Sequence, residues 1–201
     1  MLYYGAKDIT KDIDIVFTEK ESFDNFLTAL KELGFSDKNP NLLYFKKEDK
    51  PRLMQRGLDR IYVFYKNIII MKLSESMINR IRAVYEYDNL IINVLSPEDI
   101  ILLKCATERA GDRKDAMELI NRFNINWNII VEEALHQTNL NKPLFVVFLY
   151  EFLLELKEDF DAEVPREVLD TLLKKSEEEM IKGLKTKKGL LSTKYKKKNK
   201  V

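Results

Sequence analysis

A single cysteine, Cys105, rules out an intrachain disulfide, and a single histidine, His136, rules out a zinc site of Cys and His ligands. Cys105 falls in an apolar helical pattern and reads as a small buried residue. His136 lies in a helix-like stretch beside Ala134 and Leu135 and reads as a surface or helix-end residue rather than a catalyst. No apolar run is long enough to span a bilayer, so no membrane association is expected. The opening Met-Leu-Tyr-Tyr-Gly lacks the charged and then apolar build of a signal peptide, and a cytoplasmic location is the expectation. Also missing are Gly-x-Gly-x-x-Gly, Gly-Lys-Ser/Thr, His-Glu-x-x-His and Gly-x-Ser-x-Gly, which removes the common nucleotide-binding and hydrolase readings. Residues 182–201 lack acids altogether and carry nine lysines. The formal net charge of +1 therefore hides an acidic body, with twenty-five basic against thirty-three acidic residues, joined to a basic tail.

What is present suffices for a packed core: 45% of the residues are hydrophobic and 10% aromatic. The stretch Lys11-Asp12-Ile13-Asp14-Ile15-Val16-Phe17 reads as a strand. Side chains alternate along a strand, so Asp12 and Asp14 share one face while Ile13, Ile15 and Phe17 take the other. Two carboxylates held this way repel each other unless a cation sits between them, and a divalent ion with oxygen ligands is the natural occupant.

Thr18 as N-cap with Glu21 three residues on, then Phe23, Phe26, Leu27, Leu30 and Leu33, predicts an amphipathic helix stopped by Gly34. The segment 38–60, with Pro40 and Pro51 around Leu42-Leu43-Tyr44-Phe45, reads as loop, strand, loop. The runs 60–65 and 67–71 are β-branched and aromatic, and Lys66-Asn67 between them predicts a hairpin. Ser74 opens a short helix through Met77, Ile78, Ile81 and Val84, and strands are expected at 85–87 and 90–94 around Asp88-Asn89. From Ser96, with Pro97 at the first helical position and Asp99 three residues after the cap, helices take over. The first of them is expected to run to Gly111, with Asp112 or a neighbour capping the next. Further helices are expected at 127–136, 143–157 and 165–182. The apolar run Leu144-Phe145-Val146-Val147-Phe148-Leu149-Tyr150 belongs at the centre of a bundle or at a contact between copies of the chain.

The fold class is thus α+β, a mixed sheet with flanking helices followed by an all-helical C-terminal region. The expected divisions are 1–95 for the α/β region, 96–181 for helices packed on it, and 182–201 for a flexible basic tail. That tail offers a non-specific contact to RNA through phosphates, or serves only as a solubilising terminus.

Two sets of residues carry a resemblance. Tyr4-Gly5-Ala6-Lys7, followed by Thr10-Lys11-Asp12-Ile13-Asp14-Ile15, resembles the Tyr-Gly-x-Arg-x-Thr-x-Asp-Ile-Asp pattern of small prokaryotic nucleotidyltransferases of the DNA polymerase β-like superfamily. Ser96-Pro97-Glu98-Asp99-Ile100, then Lys104, Arg109, Asp112 and Asp115, is similar to the helix pair that follows the sheet in that group. The resemblance covers about residues 4–122. It implies a nucleotidyltransferase-like sheet and a magnesium-dependent transfer of a nucleotide from a nucleoside triphosphate to a hydroxyl, with toxin-like members acting on transfer RNA as one precedent. Asp12 and Asp14 are then the catalytic, metal-holding pair, and Gly5, Lys7, Thr10 and Lys104 the candidates for holding the nucleotide, Lys104 facing phosphate. Arg109, Asp112 and Asp115 are read as caps and ion pairs of a helix junction.

The pattern also departs from the family. Its Gly-Gly or Gly-Ser turn, whose backbone N–H groups receive the triphosphate, has no counterpart before Asp12 other than Gly5-Ala6, and a start upstream of Met1 is one explanation. Its third carboxylate, in Arg-Ile-Asp-Ile-Phe, is matched by Tyr62 in Arg60-Ile61-Tyr62-Val63-Phe64. Asp59 lies an odd number of residues away and belongs on the opposite strand face. The alternative function is therefore a nucleotidyltransferase-fold module without catalysis, binding nucleic acid or a protein, with a homo-oligomer through the helix near Phe145 as a further option.

Overall fold

The structure, a computed structural model, describes residues 1–38, 50–106, 109–140 and 144–198. By compactness the chain divides into two units, Met1–Asn126 and Trp127–Val201. The first carries every strand found among the described residues together with four helices, and the second is helical. The class is α+β.

In the first unit β1 (Asp12–Phe17) begins at the paired aspartates, and α1 (Lys20–Glu32) follows. The cap of α1 is Glu19, which makes no side-chain capping bond, so Thr18 does not fill the role its spacing suggested. The helix ends as expected. Gly34 takes φ +84°, its N–H donates to Lys31 O at 2.9 Å and that of Phe35 to Leu30 O at 2.9 Å, closing the last turn in a Schellman motif.

The main sheet has the order β1-β4-β3-β2, with β2 (Ser36–Lys38), β3 (Arg52–Arg56) and β4 (Asp59–Tyr65). β4 runs parallel to β1 and antiparallel to β3. Two expectations fail here. Arg52–Arg56 is a strand and not the loop expected there, reversed into β4 through Gly57 at φ +59°. The hairpin of 60–65 with 67–71 does not form, because both edges of β4 are already occupied by β1 and β3. The chain turns away at Lys66, φ +60°, into a small ribbon of β5 (Asn67–Ile68) and β6 (Met71–Lys72). The strand expected at 42–45 lies outside the described residues.

One face of the sheet meets α1. Phe23, Leu27 and Leu30 pack with Phe35, Met54, Ile61 and Val63. Since Ile13 pairs with Ile61 and Ile15 with Val63, the register of β1 and β4 puts Asp12, Asp14, Arg60 and Tyr62 together on the other face. The position of the carboxylates is thus a by-product of packing Ile15, Ile61 and Val63 towards α1, although Ile13 on the same face stays exposed.

Ser74 caps α2 (Glu75–Arg80), accepting from Met77 N at 3.1 Å. The helix stops at Arg80, short of Val84, and the chain enters the hairpin β7 (Arg82–Tyr87) and β8 (Leu90–Val94), which turns at Asp88 and Asn89 as expected. Ser96 caps α3 (Pro97–Cys105), accepting from Asp99 N at 3.2 Å and donating to Asp99 Oδ2 at 2.9 Å. Asp99, fully buried, also receives a two-pronged Arg80 guanidinium at 2.6 and 3.2 Å, which ties the end of α2 to the start of α3. α3 ends at Cys105, earlier than Gly111, and α4 (Ala110–Arg122) is capped by Arg109 rather than Asp112.

The second unit consists of α5 (Trp127–Asn139), α6 (Phe145–Asp159) and α7 (Arg166–Lys198), with α6 against both others. The apolar run on α6 is spent inside this bundle: Phe145, Val146, Leu149, Phe152, Leu153 and Leu156 are buried, while Phe148 stays exposed. Thr138 Oγ1 donates to Ala134 O at 2.9 Å and accepts from Val146 N at 3.3 Å, satisfying a backbone donor in the first turn of α6. The backbone of the lysine-rich tail continues α7 as far as Lys198, in keeping with lysine's helix propensity. Among the described residues no helix is long and apolar enough to cross a membrane.

Candidate functional site

The polar face of β1 and β4 brings two carboxylates, an arginine and a tyrosine together. Asp12 stands opposite Arg60 in the register and Asp14 opposite Tyr62. Arg60 Nε lies 2.8 Å from Asp12 Oδ1. The N–H is not aimed along that contact, for Oδ1 is closed to solvent and has no hydrogen-bond donor. The result is an attraction of charges that leaves a buried carboxylate oxygen unsatisfied, a costly condition and a rare one.

Asp14 keeps accessible surface, yet enough protein crowds its carboxyl for desolvation to raise its pKa. Lys104 and Arg109 pull the other way, and Asp12 and Asp112 add to the rise. Among the described residues no side chain donates a hydrogen bond to Asp14. Tyr62, half-buried, has its hydroxyl pKa raised by burial and by Asp12 and Asp14, against the opposing pull of Arg60 and Arg109. The tyrosine thus stands in the field of both aspartates. Asp59 does not: it is exposed at the start of β4, 3.6 Å from Arg56.

Beside the pair runs a ladder of alternating charges contributed by the N-terminal segment, α3 and α4. Lys104 Nζ donates to Asp112 Oδ1 at 2.7 Å and Asp115 Oδ2 at 2.8 Å. Lys7 Nζ meets both oxygens of Asp115, at 3.1 and 3.2 Å, and Arg109 Nε meets Asp112 Oδ2 at 3.0 Å. Burial opposes the charge on Lys104, but its hydrogen bonds to the two aspartates win and its pKa is raised. For Asp115 burial again pushes the wrong way, and the bonds from Lys104 and Lys7 bring its pKa down. Lys7 and Arg109 remain largely exposed, with side-chain accessibilities of 42% and 69%. Tyr4 fixes the N-terminal segment here: its hydroxyl donates to Leu95 O at 2.7 Å, and its ring meets Phe123 edge-on at 5.2 Å. The Met1 amino group belongs to the same neighbourhood, its pKa lowered by burial and by Lys104 and Lys7 against Asp115.

Of the six residues singled out in the sequence, the structure brings Asp12, Asp14, Lys7 and Lys104 into one electrostatic cluster. Gly5, at φ +61°, lies in an N-terminal turn whose N–H donates to Leu2 O at 2.9 Å, and Thr10 spends its hydroxyl on Asp12 O at 2.8 Å. Neither hydrogen-bonds an aspartate carboxylate. Lys104 is committed to two carboxylates rather than open to a ligand. Local sequence pattern does not single out Arg60, yet two residues before Tyr62 on a strand that pairs with β1 it shares the aspartates' face. Among the described residues no cluster of three or more His, Cys, Asp or Glu side chains has the disposition of a metal site, so the aspartates form a pair and not a triad.

The chain matches no protein-family model, and no curated protein is detectably similar to it in sequence.

Proposed function

We propose that the first unit is a nucleotidyltransferase-like module that binds a nucleoside triphosphate together with magnesium over Asp12 and Asp14 and transfers a nucleotide to a hydroxyl acceptor. The observation that carries this reading is the shut-in, donor-less Oδ1 of Asp12 beside a second carboxylate on the same strand face. Hard carboxylate oxygens suit magnesium, which is commonly held by one or two carboxylates while substrate phosphates and water complete its shell. The donor set fits one such ion. Tyr62, standing opposite Asp14 in place of a third acid, does not supply the carboxylates for a pair of ions. When bound, the ion would supply Lewis-acid stabilisation of phosphate charge.

The chain's own groups fill the remaining roles. Lys7 and Arg109, exposed at the ladder's ends, offer positive charge to phosphate oxygens. Asp112 and Asp115 hold Lys104 close enough to Asp14 to favour its ionised form.

Tyr62 favours a second reading, in which the module binds its ligand without turnover. The two readings separate in one set of measurements. Titration calorimetry with ATP or GTP is expected to show magnesium-dependent binding that Asp12→Asn and Asp14→Asn each abolish. Nucleotide affinity indifferent to both changes overturns the site. Pyrophosphate release above the level of the Asp12→Asn variant supports transfer, and its absence with intact binding supports the module without turnover.

A further inference from the structure

Two of the unit's arginine–aspartate pairs are built in opposite ways. Arg80 grips Asp99 with two nitrogens, at 2.6 and 3.2 Å, around an acid with no solvent exposure, and Ser96 adds a third bond. That pair is a fixed joint between α2 and α3. The nearest approach of Arg60 to Asp12 is Nε at 2.8 Å from Oδ1, with its N–H turned off the line of contact so that Oδ1 receives no hydrogen bond, and both side chains remain about one third exposed, at 37% and 31%. An arginine free to choose its geometry at a rim usually forms the two-pronged arrangement. Here the strand register fixes both backbones directly opposite each other, and the guanidinium settles against an oxygen that it does not hydrogen-bond.

Resting on the function proposed above, we infer that Arg60 is the displaceable counter-ion of the Asp12–Asp14 pair. It holds the carboxylates together before a divalent ion arrives, and it must leave Asp12 Oδ1 for that ion to bind. Three features carry the step. The attraction of charges keeps Arg60 near an otherwise repelling pair. The missing hydrogen bond makes the contact cheap to break. The partial exposure of the guanidinium gives it water to move into. Asp14, which no side chain bonds among the described residues, needs no such exchange. Arg60 therefore sets the divalent concentration at which the site fills, without contributing a ligand atom.

The test is the affinity of the full chain for manganese ion, followed by the loss of the free-ion paramagnetic resonance signal without nucleotide. Arg60→Gln is expected to bind manganese about tenfold more tightly than the unaltered chain, a change of about 1.4 kcal/mol. Arg60→Lys, which keeps the charge, should stay within about twofold of the unaltered chain. Asp12→Asn supplies the background, and matching far-UV circular dichroism checks that each variant folds. Equal affinities in the unaltered chain and Arg60→Gln, both above background, overturn the counter-ion role and leave the cation site standing. Weaker binding in Arg60→Gln overturns it in favour of a supporting role for the arginine. Binding at background level in both overturns the cation site, and the inference with it.

Discussion

Replacing Lys104 by methionine tests whether the charge ladder beside the aspartates is a structural element as well as an electrostatic one. The change keeps the length of the side chain and removes an ammonium that donates at 2.7 Å to Asp112 and 2.8 Å to Asp115. Both acids are well covered, with side-chain accessibilities of 5% and 11%, and Lys104 itself stands at 20%. Stripping one member from a fully buried ion pair costs about 3–5 kcal/mol, and from an exposed one about 0.2–1 kcal/mol. Here each acid retains another cation, Arg109 for Asp112 and Lys7 for Asp115, but these lie nearer the solvent. The expected loss is thus intermediate, about 2–3 kcal/mol, which at a urea m-value of about 2 kcal/mol/M lowers the midpoint by about 1–1.5 M. Far-UV circular dichroism and amide exchange in α3 and α4 are the appropriate probes, since the only tryptophan, Trp127, begins the other unit. The pH dependence provides a second check. Asp115 titrates lower in the folded chain, so its share of stability is present above the ordinary value of 3.8 and disappears as pH falls through the depressed one. Lys104 titrates higher, so its share is present below the ordinary 10.5 and disappears as pH rises through the raised value. The difference between the two proteins should accordingly be greatest from about pH 5 to 9 and shrink on either side. A loss under about 0.5 kcal/mol, or one that persists unchanged at pH 3, would refute the reasoning.

Asp14→Asn is expected to stabilise the chain at neutral pH in EDTA while removing cation binding, because burial penalises the ionised carboxylate. The raised pKa fixes the sign: the penalty is absent below the ordinary value of 3.8 and fully present above the folded one, so the gain seen in thermal melts should vanish in acid. Tyr62→Asp places a third carboxylate opposite Asp14 and is expected to tighten manganese binding by about tenfold or more, or about 1.4 kcal/mol, at some expense in stability without the ion. Unchanged manganese affinity in that variant would mean that position 62 does not face the cation.

The elements most legible in the sequence were those specified by their own residues. Ser96, Pro97 and Asp99 start α3 through bonds made within four positions of one another, and Gly34 ends α1 for the same local reason. The alternation from Asp12 to Phe17 gave β1 its two faces because Ile15 and Phe17 on one of them pack against the core that α1 covers. The errors arose where distant segments decide. β3, Arg-Leu-Met-Gln-Arg, has too little apolar character to announce a strand; it exists because β4 offers it an edge, and only Met54 on it is fully buried. The run 67–71 resembled the other half of a hairpin until β1, some fifty positions earlier, took the edge that it would have needed. At the site the same division holds. The spacing of Asp12 and Asp14 was readable, whereas the approach of Arg60 to Asp12 depends on a strand pairing that local pattern does not encode.

The charges of the cluster suggest how its two prospective ligands depend on each other. The side chains of Asp12, Asp14, Asp112 and Asp115 face those of Lys7, Arg60, Lys104 and Arg109, four against four. The ladder neutralises itself through hydrogen bonds, and Arg60 offsets the strand pair only through space. With the Met1 amino group beside Lys104 and Lys7 the cluster carries no excess of negative charge, so a divalent ion entering alone would meet positive charge, Arg60 at close range included, and its affinity should be low. A triphosphate entering alone would find Lys104 engaged and two carboxylates nearby, so it too should bind weakly. Entering together, the ion neutralises the phosphates while Lys7, Arg109 and the displaced Arg60 can meet the excess negative charge. The coupling must be reciprocal, and a typical value of about 1–3 kcal/mol corresponds to roughly 5–150-fold in either affinity. Neutralising Arg60 leaves the cluster one unit more negative, which should raise the affinity for the ion alone and narrow the difference that nucleotide makes. The coupling between manganese and nucleotide should therefore be smaller in Arg60→Gln than in the unaltered chain, and equal coupling in the two would show that Arg60 does not stand between the ligands.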